Sequence, residues 1–71
     1  MWKEIYKSNR KVIFKTDKGN EVEIYKEHIG GRYWWFVAIV TKKKLYNVYK
    51  DFTSKKDAIA SAKYWVNKRK L

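Results

Sequence analysis

Arg32-Tyr33-Trp34-Trp35-Phe36-Val37-Ala38-Ile39-Val40 decides how this chain folds, because the run is apolar at odd and even positions alike and begins, after its arginine, with four consecutive aromatics. A strand sends alternate side chains to opposite faces, so a segment apolar on both belongs in the middle of a sheet. One face feeds a core. The other needs a second cover or a ligand. Its partner strand is Leu45 to Phe52, reached through Thr41-Lys42-Lys43-Lys44. If Val40 lies opposite Leu45, then Ile39 faces Tyr46, Val37 faces Val48 and Tyr33 faces Phe52. That parity sends Tyr33, Trp35, Val37 and Ile39 to the core and leaves Trp34, Phe36, Ala38 and Val40 outside, beside Leu45, Asn47 and Tyr49. It is the preferred one, since Tyr46, Val48 and Phe52 are the better apolar set. The loop offers no Gly or Asn to force a register, and the opposite parity would expose Tyr33, Trp35 and Val37 instead.

Working outward toward the start, His28-Ile29-Gly30-Gly31 is a break, because paired glycines accept left-handed or tight backbone at little steric cost. Before it, Lys11 to Lys26 reads as a β-hairpin. Val12 and Phe14 alternate with polar residues, Val22 and Ile24 do the same, and Asp17-Lys18-Gly19-Asn20 lies between. A three-residue loop Asp17-Lys18-Gly19, with Gly19 left-handed as a G1 bulge, pairs Phe14 with Val22 and Val12 with Ile24 on one face. A two-residue loop would set Phe14 opposite Glu23 and mix the faces, so the pattern rejects it. The other face of the hairpin carries Ile13, Lys15, Glu21, Glu23 and Tyr25 and is mostly wet. Trp2 to Lys7 alternates weakly and suits a short edge strand, followed by a turn at Ser8-Asn9-Arg10.

Working outward toward the end, Ser54 is a good helix N-cap, with Asp57 in the first turn where the helix dipole favours an acid. Ala58, Ile59, Ala62, Trp65 and Val66 recur at helical spacing as one stripe. The small residues let the helix lie close to a sheet, while Trp65 fills space near one end. Lys56, Lys63 and Lys70 lie on the opposite side, and Lys68 and Arg69 end the helix where cations suit the dipole. The expectation is therefore α+β: a twisted antiparallel sheet of four to five strands with one C-terminal helix packed on one face. Residues 1–71 form a single domain, with the sheet over 2–52 and the helix over 55–69. The opposite sheet face stays open.

Composition limits the functional classes. The chain has 71 residues, so its core is small, and thirteen aromatics (Trp 4, Tyr 6, Phe 3) without any cysteine make hydrophobic burial the means of stabilising it. With 18 basic and 7 acidic residues the net charge is +11. The excess is concentrated after residue 27, where eleven basic residues meet two acidic ones. Self-repulsion of this size points to a partner of opposite sign, with a surface suited to solubility as the plainer explanation. The opening Met1-Trp2-Lys3-Glu4-Ile5-Tyr6-Lys7 lacks the apolar stretch of a signal peptide, and no run would span a bilayer. A cytoplasmic protein without a membrane partner is the expectation.

No catalytic signature is present. His28 is the only histidine, and without cysteine or a second ligand beside it a triad or zinc site lacks its parts. No enzyme activity, metal or cofactor is expected. Glu21, Glu23 and Glu27 alternate along a strand and read as a solvated face that offsets lysines. What remains is the open aromatic face with its cations. Arg32, Trp34, Phe36 and Tyr49, with Lys15 and the loop lysines Lys42, Lys43 and Lys44 around them, are the candidate nucleic-acid-binding residues. Bases stack on aromatic side chains for about 1 to 3 kcal/mol each while lysines follow phosphate. Lysine contacts carry little sequence specificity. DNA and RNA both fit, and a protein partner or homodimer covering the same aromatic face is the alternative.

The ending Phe52-Thr53-Ser54-Lys55-Lys56-Asp57-Ala58-Ile59-Ala60-Ser61-Ala62, after a Trp-containing strand pair, resembles the sheet-then-helix ending of AP2-type and integrase amino-terminal DNA-binding domains. The likeness covers about half the chain. The arginine-rich reading strands of those families are missing here, so it assigns no residue a role.

Overall fold

The computed structural model describes residues 2–71, apart from the side chains of Tyr49 and Lys50. Five strands, β1 (Lys3–Lys7), β2 (Lys11–Lys15), β3 (Glu21–Ile29), β4 (Arg32–Val40) and β5 (Leu45–Phe52), form one antiparallel sheet in chain order, and α1 (Lys55–Arg69) follows. Every connection within the sheet is a hairpin, which agrees with the short polar or glycine-containing breaks between apolar runs.

The β2–β3 hairpin has the register that the pattern of apolar residues demands, with Val12 opposite Ile24 and Phe14 opposite Val22. Gly19 sits at φ 83°. The Gly19 N–H donates to the Thr16 carbonyl at 2.9 Å, and the Thr16 N–H to the Asn20 carbonyl at 2.8 Å. β3 does not stop near Lys26 but runs on to Ile29, with β4 beginning at Arg32. The two-residue loop Gly30-Gly31 has φ 62° and 81°. Positive φ at both central positions is the primed turn whose twist suits a hairpin.

β4 is central between β3 and β5, and its parity is the preferred one. Val37 and Ile39 are fully buried with Val12, Val22 and Ile24, while Trp35 packs at the margin of this core. Val40 faces Leu45, Ile39 faces Tyr46 and Val37 faces Val48. Two expectations need correction. Phe52 lies opposite Trp35, not Tyr33, because the register shifts between Trp35 and Val37. From Val48 to Phe52 the chain advances four residues while β4 retreats two, so two extra residues enter β5 and the parity survives. Tyr33 keeps the core-side parity but is 51% exposed, beyond the reach of the helix.

α1 lies on β3, β4 and β5. Ser54 Oγ accepts from the Asp57 N–H at 3.2 Å and caps it. Ala58, Ala62 and Val66 face the core, and the absence of bulk at the two alanines lets the helix sit close. It runs back along the sheet and ends with Lys70 left-handed at φ 55°, the Leu71 N–H donating to the Val66 carbonyl at 2.9 Å. This is a Schellman closure. The Leu71 carbonyl then accepts from Thr16 Oγ1 at 3.0 Å and Asn20 Nδ2 at 2.7 Å, tying the helix end to the β2–β3 turn.

Candidate functional site

The sheet face away from α1 carries three of the candidate side chains at one end. Arg32 lies over the Trp34 ring with its guanidinium carbon 5.6 Å from the centroid. Phe36 stacks on Tyr25 at 5.6 Å and 26°. Both arrangements follow from register, since Tyr25 is opposite Phe36 and a cross-strand pair brings rings within contact. Ala38, only 6% exposed, forms a low floor between these aromatics and Asn47 and Leu45. A trough of about 530 Å³ lies beside them, lined by Tyr6, Arg10, Lys11, Glu23, Tyr25, Lys26 and Glu27 among others.

This face is not a positive surface. Glu27 is opposite Trp34, Glu23 opposite Ala38 and Glu21 opposite Val40, so a row of carboxylates runs beside the aromatic strand. Lys11 Nζ lies 3.4 Å from Glu23, and Lys15 is paired in register with Glu21. The pKa of Tyr25 records the resulting field. Partial burial raises it first, Glu27 and Glu23 raise it further, and Lys11 opposes them. The β1 strand extends the sheet beside β2 and leaves the trough uncovered.

The loop lysines lie elsewhere. Trp34 and Val40 are six residues apart on β4, about 20 Å at strand rise, and Lys42, Lys43 and Lys44 follow beyond Val40. The loop is braced by Thr41, whose Oγ1 donates to the Lys44 carbonyl at 3.0 Å and accepts from the N–H groups of Lys43 at 3.2 Å and Lys44 at 3.1 Å. Of the sequence-derived set, Arg32, Trp34 and Phe36 thus stand together, the loop lysines form a second group, and Lys15 sits between Glu21 on β3 and Lys3 on β1. The Tyr49 side chain lies outside the described residues.

The loop has a different neighbour, which the sequence did not reveal. Lys44 Nζ is 4.6 Å from the Tyr46 ring centroid, and the Arg69 guanidinium carbon is 5.7 Å from that centroid and 4.9 Å from that of Trp65. Lys68 approaches the rings of Tyr64 at 5.6 Å and Trp65 at 5.9 Å. The β4–β5 loop and the last turn of α1 therefore converge on one aromatic ridge. Residues 41–48 and 58–71, which build it, hold seven Lys and Arg and no Asp or Glu. That charge asymmetry was the available signal; the convergence depends on where the helix ends over β5.

Fold and surface together define a small α+β domain with an acid-free cationic ridge on one side and a mixed-charge aromatic trough on the other. No family model matches this chain, and neither a curated protein nor a solved structure matches it. Among the described residues no helix is long and apolar enough to cross a membrane.

Proposed function

We propose that the protein is a cytoplasmic nucleic-acid-binding module without enzymatic activity, holding DNA or RNA mainly through backbone contacts with little reading of sequence. The observation that carries this reading is the convergence of Lys44 and Arg69 on Tyr46, built from segments 41–48 and 58–71, which hold no Asp or Glu. Two cations over one ring are no more than about 10 Å apart, which spans neighbouring phosphates on one strand, spaced about 3.4 Å per residue along a duplex axis. Lys42, Lys43 and Lys68 widen the ridge. If all five cations engage phosphate in a duplex, the affinity falls with salt at a slope of about −4.5. The aromatic trough is secondary here, because its carboxylates offset its cations.

Intrinsic tryptophan fluorescence tests this directly, since Trp65 lies under Arg69 in the ridge. Titration with DNA and RNA at two salt concentrations should give a salt-sensitive change. An unchanged spectrum and unchanged mobility at low salt would reject the proposal.

The trough supports a second reading, a protein-interaction module or homodimer. Its apolar floor and paired aromatics beside both signs of charge suit a protein surface better than a polyanion. Sedimentation equilibrium separates the readings: a stable dimer with Trp34 emission blue-shifted and indifferent to nucleic acid favours the second.

A further inference from the structure

We infer that the nucleic acid held by the cationic ridge is a duplex gripped by its phosphates, not a single strand; this rests on the nucleic-acid reading above. Single strands gain affinity by stacking bases on free aromatic faces. The ridge offers few. Tyr46 and Trp65 pack against the core, and Lys44, Arg69 and Lys68 lie over their rings at 4.6 to 5.9 Å. A base seeking either ring would have to displace a cation that the same ligand needs for its phosphates. The aromatics across the sheet are no freer, since Arg32 lies over Trp34 and Phe36 stacks on Tyr25, and Glu27 and Glu23 offset the cations there.

The backbone that carries the cations is also braced. The three hydrogen bonds of Thr41 Oγ1 hold the loop shape, and Lys68 and Arg69 stand on the last turn of a helix whose end is clamped to Thr16 and Asn20. Cations presented from a braced backbone suit the regular phosphate lattice of a duplex, whereas a flexible strand would have to be ordered on them at an entropic cost. A duplex further presents one charge per about 1.7 Å of axis and releases more counterion per contact, with a slope near 0.9 against 0.7 for single strands. A surface that works by charge alone therefore favours the duplex.

Fluorescence anisotropy with a labelled 20-base-pair DNA duplex, the matching RNA duplex and one unstructured strand of the same sequence, all at one low salt concentration, tests this. At least one duplex should bind tenfold or more tighter than the strand. Lys43→Ala with Arg69→Ala should lower duplex affinity at least tenfold, with circular dichroism establishing that the fold is kept. Lys43→Ala alone, in an exposed loop, guards against a folding effect of losing Arg69 from Trp65. Tyr64 is 60% exposed and the most available ring of the ridge, so Tyr64→Ala should leave duplex affinity within twofold. A strand that binds as tightly as both duplexes and loses affinity in Tyr64→Ala overturns the duplex inference while sparing nucleic-acid binding. Absence of binding to all three probes overturns both.

Discussion

Glu27 lies directly opposite Trp34 in the pairing of β3 with β4. Cross-strand neighbours in an antiparallel pair have Cβ atoms about 5 Å apart, so any phosphate brought to the Trp34 ring approaches a carboxylate. Arg32, over the same ring, only offsets that charge. On the proposed mode of binding, Trp34→Ala should leave duplex affinity within twofold, and Glu27→Gln should raise affinity for a single strand more than for a duplex. A tenfold loss for duplex DNA in Trp34→Ala, measured by anisotropy, would move the site to the sheet face away from α1.

Lys43 protrudes from the braced loop and has no acid in its own segment to pair with. Its replacement by alanine removes one phosphate contact from an otherwise unchanged array. The slope of log affinity against log salt should become shallower by about 1, equally for unrelated sequences. A slope unchanged in Lys43→Ala, or a loss confined to one sequence, would contradict backbone binding.

How much of this was legible beforehand differs by element. The β2–β3 hairpin was readable because only a three-residue loop brings Val12, Phe14, Val22 and Ile24 to one face. The parity of β4 was readable from the better apolar set of β5. The register shift was not, because two extra residues in β5 leave alternation intact and therefore leave no trace in the pattern. Tyr33 shows the limit of the parity argument. Alternation assigns a face, but how far the helix extends along that face decides burial. Nor did the Lys42-Lys43-Lys44 segment show what would shape it. No glycine or asparagine was there to make the turn, and a threonine hydroxyl bonding its own loop does that work. The cationic ridge depends on the helix returning over Tyr46, a tertiary fact that residue spacing does not encode.

Lys70 closes α1 in a left-handed conformation with φ 55°. An L-residue pays roughly 1 to 2 kcal/mol there relative to its preferred basins, while glycine pays almost none. Lys70→Gly should therefore raise the thermal midpoint by several degrees, about 4 to 8 °C for each kcal/mol recovered in a domain of this size. The Lys18 Nζ bond to the Lys70 carbonyl, at 2.7 Å, is to backbone and survives the change. A lowered midpoint by circular dichroism would show that the side chain contributes more than the strain costs.

Tyr25 links the acidic row to the pH dependence of stability. Burial and the neighbouring Glu27 and Glu23 raise its pKa above the usual 10.0, so the folded state holds the phenolic proton more tightly than the unfolded chain. Below about pH 10 both states are protonated and the contribution is fully present. As pH rises through the unfolded value toward the folded one, the unfolded chain loses its proton first and stability falls. Tyr25→Phe should remove that portion of the alkaline loss. The difference in thermal midpoint between the two proteins, followed from pH 9 to pH 12, should narrow in favour of the variant. Parallel curves would show that the tyrosine does not titrate differently on folding.

Thr16 joins the two ends of the fold. It is buried, and its hydroxyl both donates to the Leu71 carbonyl at 3.0 Å and accepts from the Asn20 N–H at 3.2 Å. Valine has nearly the same shape, so Thr16→Val alters packing little and removes both bonds. The Leu71 carbonyl keeps Asn20 Nδ2 at 2.7 Å, but the part-buried Asn20 N–H loses its acceptor. Losing such a hydrogen bond costs about 1 kcal/mol, a fall of about 4 to 8 °C in midpoint. Thr16→Ser keeps the hydroxyl and should lose clearly less. Because the clamp holds the helix end that carries Arg69, Thr16→Val should also speed amide exchange at Lys70 and Leu71 before the rest of the sheet, and weaken nucleic-acid binding more than its effect on global unfolding explains. Equal exchange throughout the chain, with affinity unchanged, would mean that the clamp stabilises the fold without positioning the ridge.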